Sequence, residues 1–488
     1  MAKSAAGASP VIVWFRSELR LEDHPALSAA VKSGAPVLPL YILDDAAADR
    51  WKPGGASRWW LAKSLDALGR DIAKRGGRLI LRRGDTAREL TRAVEESGAT
   101  AIHFTRGYEP WSGALESGLH TLFSGMDVAF KRFGGRLLQE PEDLRTASGN
   151  PYQVFTPFWR AFRRDFSPSR PVAAPERFSA PPREIASDEI SHWKLLPVKP
   201  DWSGGLTAAW EPGEDGARVR LETFIAGTLS SYATGRDRLD QFGTSHLSPH
   251  LAFGEISPAA CWRAASAALN DKGSSDQSIE TFLKELAWRE FCYSLLIHFP
   301  KMPDEPLREE FAAFKWATVS TDLTAWQRGM TGYPIVDAGM RELWATGYMH
   351  NRARMITASF LTKHLQLSWT LGEAWFWDTL VDADLANNAA NWQWVAGCGA
   401  DAAPYFRIFN PILQGEKFDP DGDYVRRWVP ELERLPANAV HSPWTADAAT
   451  LKRAGVVVGK TYPSPIVDHK AARARALAAY ESSKAAKP

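Results

Sequence analysis

The hydrophobic pattern of this chain changes period once, and that change limits what it can fold into. In the first third, short β-rich runs at Val11–Phe15, Val37–Leu43, Arg78–Leu81, Ala101–Thr105 and Val128–Arg132 alternate with helical patterns at Pro25–Lys32, Ser57–Lys74, Thr86–Ser97 and Trp111–Phe123. Such alternation implies right-handed crossovers and a parallel sheet covered on both faces. From about Gly216 onward the pattern is helical almost throughout. Over Ile279–Phe299, for example, Ile279, Phe282, Leu283, Leu286, Phe291 and Leu295 recur close to helical spacing. Between these regions lies a proline-rich stretch with little periodicity, including SPSRPVAAPERFSAPPRE, which reads as a long connector over the surface. The expected organisation is a Rossmann-like α/β domain over 9–139, a connector over 140–212 and an all-α domain over 213–482. A chain of 488 residues is long enough for two cores.

Phosphate chemistry is not written into the first domain. After the first strand comes RSELRLEDHPAL, with no G-x-G-x-x-G turn, so nothing assigns the main cofactor to that half. The net charge of +1 gives no global field towards nucleic acid, and a basic partner surface has to be local. Cys261, Cys292 and Cys398 are far apart and give neither a disulfide framework nor zinc spacing. MAKSAAGASP lacks the apolar segment of a signal peptide, and no run is apolar enough to span a membrane. A cytoplasmic protein is expected.

Tryptophan is the compositional exception, with 21 residues. Its indole N–H needs a partner when buried. The stretch Trp375–Pro411, WFWDTLVDADLANNAANWQWVAGCGADAAPYFRIFNP, sets indoles beside Asp382, Asp384, Asn387 and Asn388. It has the composition of a wall for a flat, polar-edged ring such as a flavin. The two aspartates suit an arginine partner, a helix cap or a metal; no His or Cys set accompanies them, so no metal is expected. Glu285, Trp288 and Arg289 share one helical face by spacing. They could bind a stacked polar ring, although a surface ion pair beside a core indole explains the spacing better. Asn351, Arg352, Arg354 and Met355 fall within about one turn, suited to phosphate and base edges or to an exposed basic turn. Arg236 and Arg407, basic residues among aromatics, suit flipped or single-stranded nucleotides weakly. TSHLSPHLAFGEIS (Thr244–Ser257) is either a phosphate cradle at a helix start or an ordinary cap.

Together these segments resemble the DNA photolyase/cryptochrome family over nearly the whole chain. VIVWFRSELRLEDHPAL, TSHLSPHLAFGEIS, ELAWREF, TGYPIVDAGMRELWATGYMHNRARMITASFL and DADLANNAANWQW…DAAPYFRIFNPILQGEKFDPDGDYVRRWVPEL follow in family order. The resemblance implies an antenna-binding α/β domain and a helical domain holding FAD. By motif position the flavin shell includes Tyr232, Thr244, Ser245, His246, Leu247, Ser248, Phe282, Arg289, Arg354, Asp382, Asp384 and Asn388. Arg354 is expected to pair with Asp382, and Asn388 to face the flavin's central nitrogen. Phe282 stands where some relatives carry Trp, and His246 where a basic residue is common. Trp392, Trp369 and Trp316 fall at the electron-transfer positions that serve photoreduction of the flavin.

The implied reaction is light-driven reversal of a cyclobutane pyrimidine dimer flipped out of DNA. Trp288 and Trp394 would flank the dimer, and Glu285 would hydrogen-bond its carbonyl as charge develops. Asn351 and Met355 would line the pocket, with Arg236, Arg352 and Arg407 on flanking phosphates. Relatives acting on the six-four lesion carry histidines at the Asn351 and Met355 positions, and plant cryptochromes tend to carry Asp at Asn388. With LSPHLAFGEIS close to the plant-cryptochrome wording, the mixture points to the third class of bacterial dimer photolyases. A blue-light signalling protein and a DASH-type enzyme acting on single strands are the alternatives. The subclass implies a methenyltetrahydrofolate antenna, with positional support from Tyr108–Glu109 in RGYEPW; a deazaflavin is the other candidate. A monomer is expected.

Overall fold

A computed structural model describes residues 9–179, 183–270, 276–402 and 407–485. Its α/β half is built on a five-stranded parallel sheet of order β3-β2-β1-β4-β5, with β1 Val11–Phe15, β2 Val37–Leu43, β3 Ile80–Arg83, β4 Ala101–Thr105 and β5 Ala129–Phe133. Val11 pairs with Val37 on one side and with Ala101 on the other, which fixes the register at the centre. Strands β1, β2 and β4 are buried along their whole length. That explains their continuous apolar runs, because a parallel strand covered on both faces has no polar side. Alternate residues feed two separate cores. Val11, Val13 and Phe15 pack with Leu27 of α1 (Pro25–Lys32) and with Leu61, Leu65 and Leu68 of α2 (Gly55–Lys74). Ile12 and Trp14 pack instead with Leu90 and Val94 of α3 (Thr86–Ser97) and with Leu119 and Phe123 of α4 (Ser112–Gly125). The last edge strand is largely exposed. Both β3 and β5 begin slightly later than the β-rich runs in the sequence, because ladder pairing decides where a strand starts and propensity does not.

The stretch between sheet and helices departs from the reading of a bare surface connector. A helix runs from Phe155 to Asp165, with Phe155, Phe158, Trp159 and Phe162 all buried. Those positions have helical spacing, but the turn-forming residues around them dominate the local composition. Further along, Phe178, Trp193 and Leu195 pack against the α1/α2 face of the sheet, and Ile185 against the other. The segment is therefore part of both cores.

The rest of the chain is helical. The helix Leu385–Ala396 packs against Asp276–His298, Trp369–Thr379 and Asn351–Ser359. The two halves interlock through buried polar contacts: Trp60 of α2 donates its indole N–H to Glu255 at 2.9 Å, and Glu255 also holds His250 at 2.5 Å. Arg20 donates to the Gly254 carbonyl at 2.9 Å. Among the described residues, no helix is long and apolar enough to cross a membrane. Nor does any group of three or more His, Cys, Asp or Glu side chains there have the arrangement of a metal site.

Candidate active site

Asp384 stands at the N-cap of the helix Leu385–Ala396. Its Oδ1 accepts from the Asn387 backbone N–H at 2.9 Å and from the Asn387 amide at 2.8 Å. Its Oδ2 accepts a short hydrogen bond from the Tyr293 hydroxyl. Asp382 meets Arg354 at 2.7 Å and accepts from the Ser248 hydroxyl at 2.6 Å, both on Oδ2. Asn388, one turn into the helix, donates its side-chain amide to the Glu373 carbonyl at 3.0 Å. Arg289 is buried and donates to the Arg136 carbonyl and to Glu290, both at 3.1 Å.

Among the described residues, Asp382 Oδ1 and Arg289 Nη2 are buried without a hydrogen-bond partner. Leaving such a group unsatisfied costs roughly 1–3 kcal/mol each, and more when it is charged. A carboxylate oxygen and a guanidinium nitrogen, both lacking partners within one shell, suit a ligand that carries hydroxyls and phosphates together. These residues fit FAD.

The other shell positions fall into different roles. Tyr232 and Phe282 are both buried, in edge-to-face contact at 5.7 Å, and Phe224 lies 4.7 Å from Phe282. Thr244 and Ser245 are half-buried, Leu247 is fully in the core, and the helix that begins at Ser248 is only five residues long. His246 does not take over the work of a basic residue. Its ring lies against Tyr348 at 4.9 Å and Trp210 at 6.0 Å. Burial, reinforced by Arg220, pushes its pKa down to about 4, so at neutral pH it is an uncharged packing group.

The residues expected to bind the dimer have partners within the protein. Glu285 is ion-paired to Arg236, whose guanidinium also covers the Tyr232 ring at 5.6 Å. Arg352 pairs with Asp237 at 2.7 Å, lies 4.3 Å over Phe418 and points Nη1 at Met355 Sδ. Both arginines were expected on phosphates, yet both are engaged with carboxylates, because a partly buried guanidinium takes the nearest counter-charge. Asn351 is exposed at the start of its helix, Met355 half-buried one turn later. Arg407 is exposed, next to residues 403–406, which lie outside the described set.

Trp288 and Trp394 are joined by residues that sequence reasoning missed. Phe155 stacks on Trp288 at 3.6 Å with planes 8° apart. Its backbone N–H donates to Asp401 Oδ1 at 3.3 Å, and the Asp401 carbonyl accepts from the Trp394 indole at 3.1 Å. Phe155 and Asp401 therefore hold the two indoles in one frame. No local pattern marks either residue.

Trp392 and Trp369 are 2% and 3% exposed, whereas Trp316 is half-exposed against Phe314 at 4.5 Å. Of these three indoles, Trp316 alone reaches solvent. Trp392 sits edge-to-face with Phe376 at 4.9 Å and with Trp326 at 6.2 Å, and its N–H has no partner.

Tyr108 and Glu109 do not line an open wall. The Tyr108 hydroxyl donates to Glu140 at 2.8 Å and the residue is 1% exposed. Glu109 is held by Arg136 at 2.6 Å and by the Ser112 hydroxyl at 3.0 Å. An accessible cavity of about 280 Å³ lies elsewhere, where the start of α2 meets the helix Trp369–Thr379. Trp51 and Trp377 line it, edge-to-face at 5.4 Å, together with Lys52, Thr370 and Glu373. Burial holds the Glu373 carboxyl well above the usual carboxylate range, against a weaker opposing pull from Arg50, and its Oε1 has no partner.

A parallel α/β half followed by a helical half with a flavin-fitting polar shell defines a two-part FAD-binding protein. Its N-terminal residues 11–177 match the family described as DNA photolyase, and residues 282–482 match the FAD binding domain of DNA photolyase. A deoxyribodipyrimidine photo-lyase of Agrobacterium fabrum is 53% identical, with 98% of each chain covered. Cryptochrome-1 of Arabidopsis thaliana is 39% identical over 95% of this chain and 69% of its own length. A crystal structure of a bacterial class III photolyase from Agrobacterium tumefaciens superposes with a TM-score of 0.96, at 52% identity and 99% coverage of both chains. The chain belongs to the DNA photolyase family.

Proposed function

We propose that this protein is a deoxyribodipyrimidine photo-lyase of the class III type, which uses light to split cyclobutane pyrimidine dimers in damaged DNA. Full-length identity of 53% to a deoxyribodipyrimidine photo-lyase carries this reading. When bound, FAD supplies a light-excited one-electron donor. The protein's own residues do the rest. Trp288, stiffened from behind by Phe155, offers one free ring face to the flipped dimer, and Trp394 bounds the opposite side. Glu285, paired with Arg236 before substrate arrives, would donate to the dimer carbonyl as the protonated carboxyl and so stabilise charge developing there. Asn351 and Met355 complete the pocket wall, and Arg354 fixes Asp382, one of the carboxylates that would hold the cofactor. Trp392, Trp369 and Trp316 would carry electrons inward from a reductant in solution to oxidised flavin.

The antenna is a methenyltetrahydrofolate seated in the cavity between Trp51 and Trp377. A buried carboxyl with one unpartnered oxygen, Glu373 Oε1, suits the amino-pyrimidinone edge of a pterin, indoles suit its faces, and exposed Lys52 suits a glutamate carboxylate. Pigment released from the denatured protein identifies the antenna; a deazaflavin would remove the folate reading.

The deciding experiment is repair of a defined thymine dimer in duplex and single-stranded oligonucleotides by the reduced protein under blue light. Dimer loss in duplex DNA, absent in the dark, is expected. Repair confined to single strands would favour a DASH-type enzyme. No repair of either substrate would favour a signalling protein.

A further inference from the structure

The flavin shell described above comes from the helical half, yet one of its carboxylates faces a charge from the other half. Arg136 follows β5, outside the helical domain, and is 7% exposed. Its Nη1 donates to Glu109 at 2.6 Å and its Nη2 lies 4.0 Å from Asp384 Oδ2, the oxygen that also accepts the Tyr293 hydroxyl. Its guanidinium is 5.3 Å from the Tyr293 ring centroid, and that of Arg289 is 4.9 Å from the same ring. The Arg136 carbonyl in turn accepts from Arg289. One residue of the α/β half thus touches two residues of the presumed flavin shell, Asp384 through its side chain and Arg289 through its backbone.

The charges around this point are balanced and anchored. Burial works against a charged Glu109, yet Arg136 and then Arg16 outweigh it and bring the carboxyl down to about 2. Arg16 is itself tied to Glu116 at 2.6 Å and to Ser112 at 3.1 Å. A guanidinium so held cannot swing away, and a buried carboxylate facing it keeps its orientation. We infer that Arg136 is a positioning residue for the flavin, acting through Asp384, so that the α/β half sets the electrostatics of the redox centre as well as carrying an antenna. The inference rests on Asp384 lying against the flavin, as the family resemblance implies.

Removing the guanidinium leaves the Asp384 carboxylate unbalanced beside the cofactor, which makes electron addition less favourable. In the FAD-loaded protein, Arg136→Met therefore lowers the flavin midpoint potential, measured by spectroelectrochemical titration, and Arg136→Lys restores most of the shift. If Arg136→Met does not fold, Arg136→Gln provides the same comparison. Asp384→Asn alone changes the potential, and adding Arg136→Met to it produces a smaller shift than Arg136→Met causes in the parent. An Arg136 variant whose potential matches the parent's, or whose effect adds in full to that of Asp384→Asn, overturns the inference while the site stands. An Asp384→Asn variant with an unaltered flavin removes Asp384 from the site and the inference with it.

Discussion

Gly372 leaves room for an indole. A Cβ at this position would sit 2.0 Å from Trp392 Cη2, inside any permitted contact. The helix Trp369–Thr379 therefore approaches Leu385–Ala396 closely only because residue 372 has no side chain. Gly372→Ala forces Trp392 off its rotamer, and overpacking of this kind destabilises by about 1–3 kcal/mol. Urea unfolding checks the stability loss, and flash photolysis checks a slower photoreduction. A variant with parental values in both would mean that the backbone relaxes freely here. Glu285 makes a second case at this scale. Because it holds Arg236, Glu285→Ala removes the group that stabilises charge on the dimer but frees a guanidinium for phosphate. Repair yield per absorbed photon should fall several-fold while DNA affinity holds or rises; a yield equal to the parent's would rule out charge stabilisation by this carboxyl. The sequence marked Trp392, Glu285 and Asp384 because their motifs are local. It could not mark Arg136, Tyr293, Phe155 or Asp401, which matter through contacts between segments far apart in the chain.

Elements were legible wherever one period ran long enough. The central strands and α1 appear at the residues their apolar runs occupy, since burial on both faces leaves no ambiguity. The helix Phe155–Asp165 was not legible, because its aromatic stripe is short and proline surrounds it. The described part of the C-terminal helix His469–Ala485 is docked: Ala472, Ala476 and Tyr480 are buried, and Tyr480 stacks on Phe311. At its first residue, His469 Nδ1 meets His364 Nε2 at 2.8 Å, and Arg475 donates to the His364 carbonyl at 3.1 Å. One ring must donate and the other accept, so at most one of the two is charged. Burial, then the neighbouring His469, pushes His364 down to about 3; burial followed by Arg473 lowers His469 against Asp468. For a histidine with a depressed pKa, the docking contribution is complete above its ordinary value near 6.5 and declines as pH falls towards the folded value. Undocking should gain up to about 3 kcal/mol by pH 4, at 1.36 kcal/mol per unit. Hydrogen exchange in the helix, corrected for intrinsic rates, should rise between pH 7 and 4.5 while β1 stays protected. Equal protection at both values would show that the histidine pair does not hold the helix.

At the scale of the whole molecule, the halves that the sequence separates are joined by charge and by side chains crossing between them. Trp60 reaches Glu255, Arg20 reaches the Gly254 carbonyl, and Arg136 reaches Asp384. Period alone could reveal two architectures but not their seam, because each crossing residue reads locally as an ordinary member of its own half. The same balance governs how the protein meets DNA. Net charge is +1, so no broad positive field concentrates the polyanion. Arg236 and Arg352, proposed to flank the dimer, already face Glu285 and Asp237, and binding phosphate there exchanges one anionic partner for another. Each phosphate neutralised by a free cation contributes about −0.9 to the slope of log binding constant against log salt. With the cleft arginines paired in advance, the slope should be shallower than about −3, and recognition should rest mainly on the flipped dimer between Trp288 and Trp394. Fluorescence anisotropy with a dimer-containing duplex over a salt series measures it directly. A slope near −6 or steeper would require several unpaired cations on the binding face, and would move the DNA-contacting surface away from these arginines.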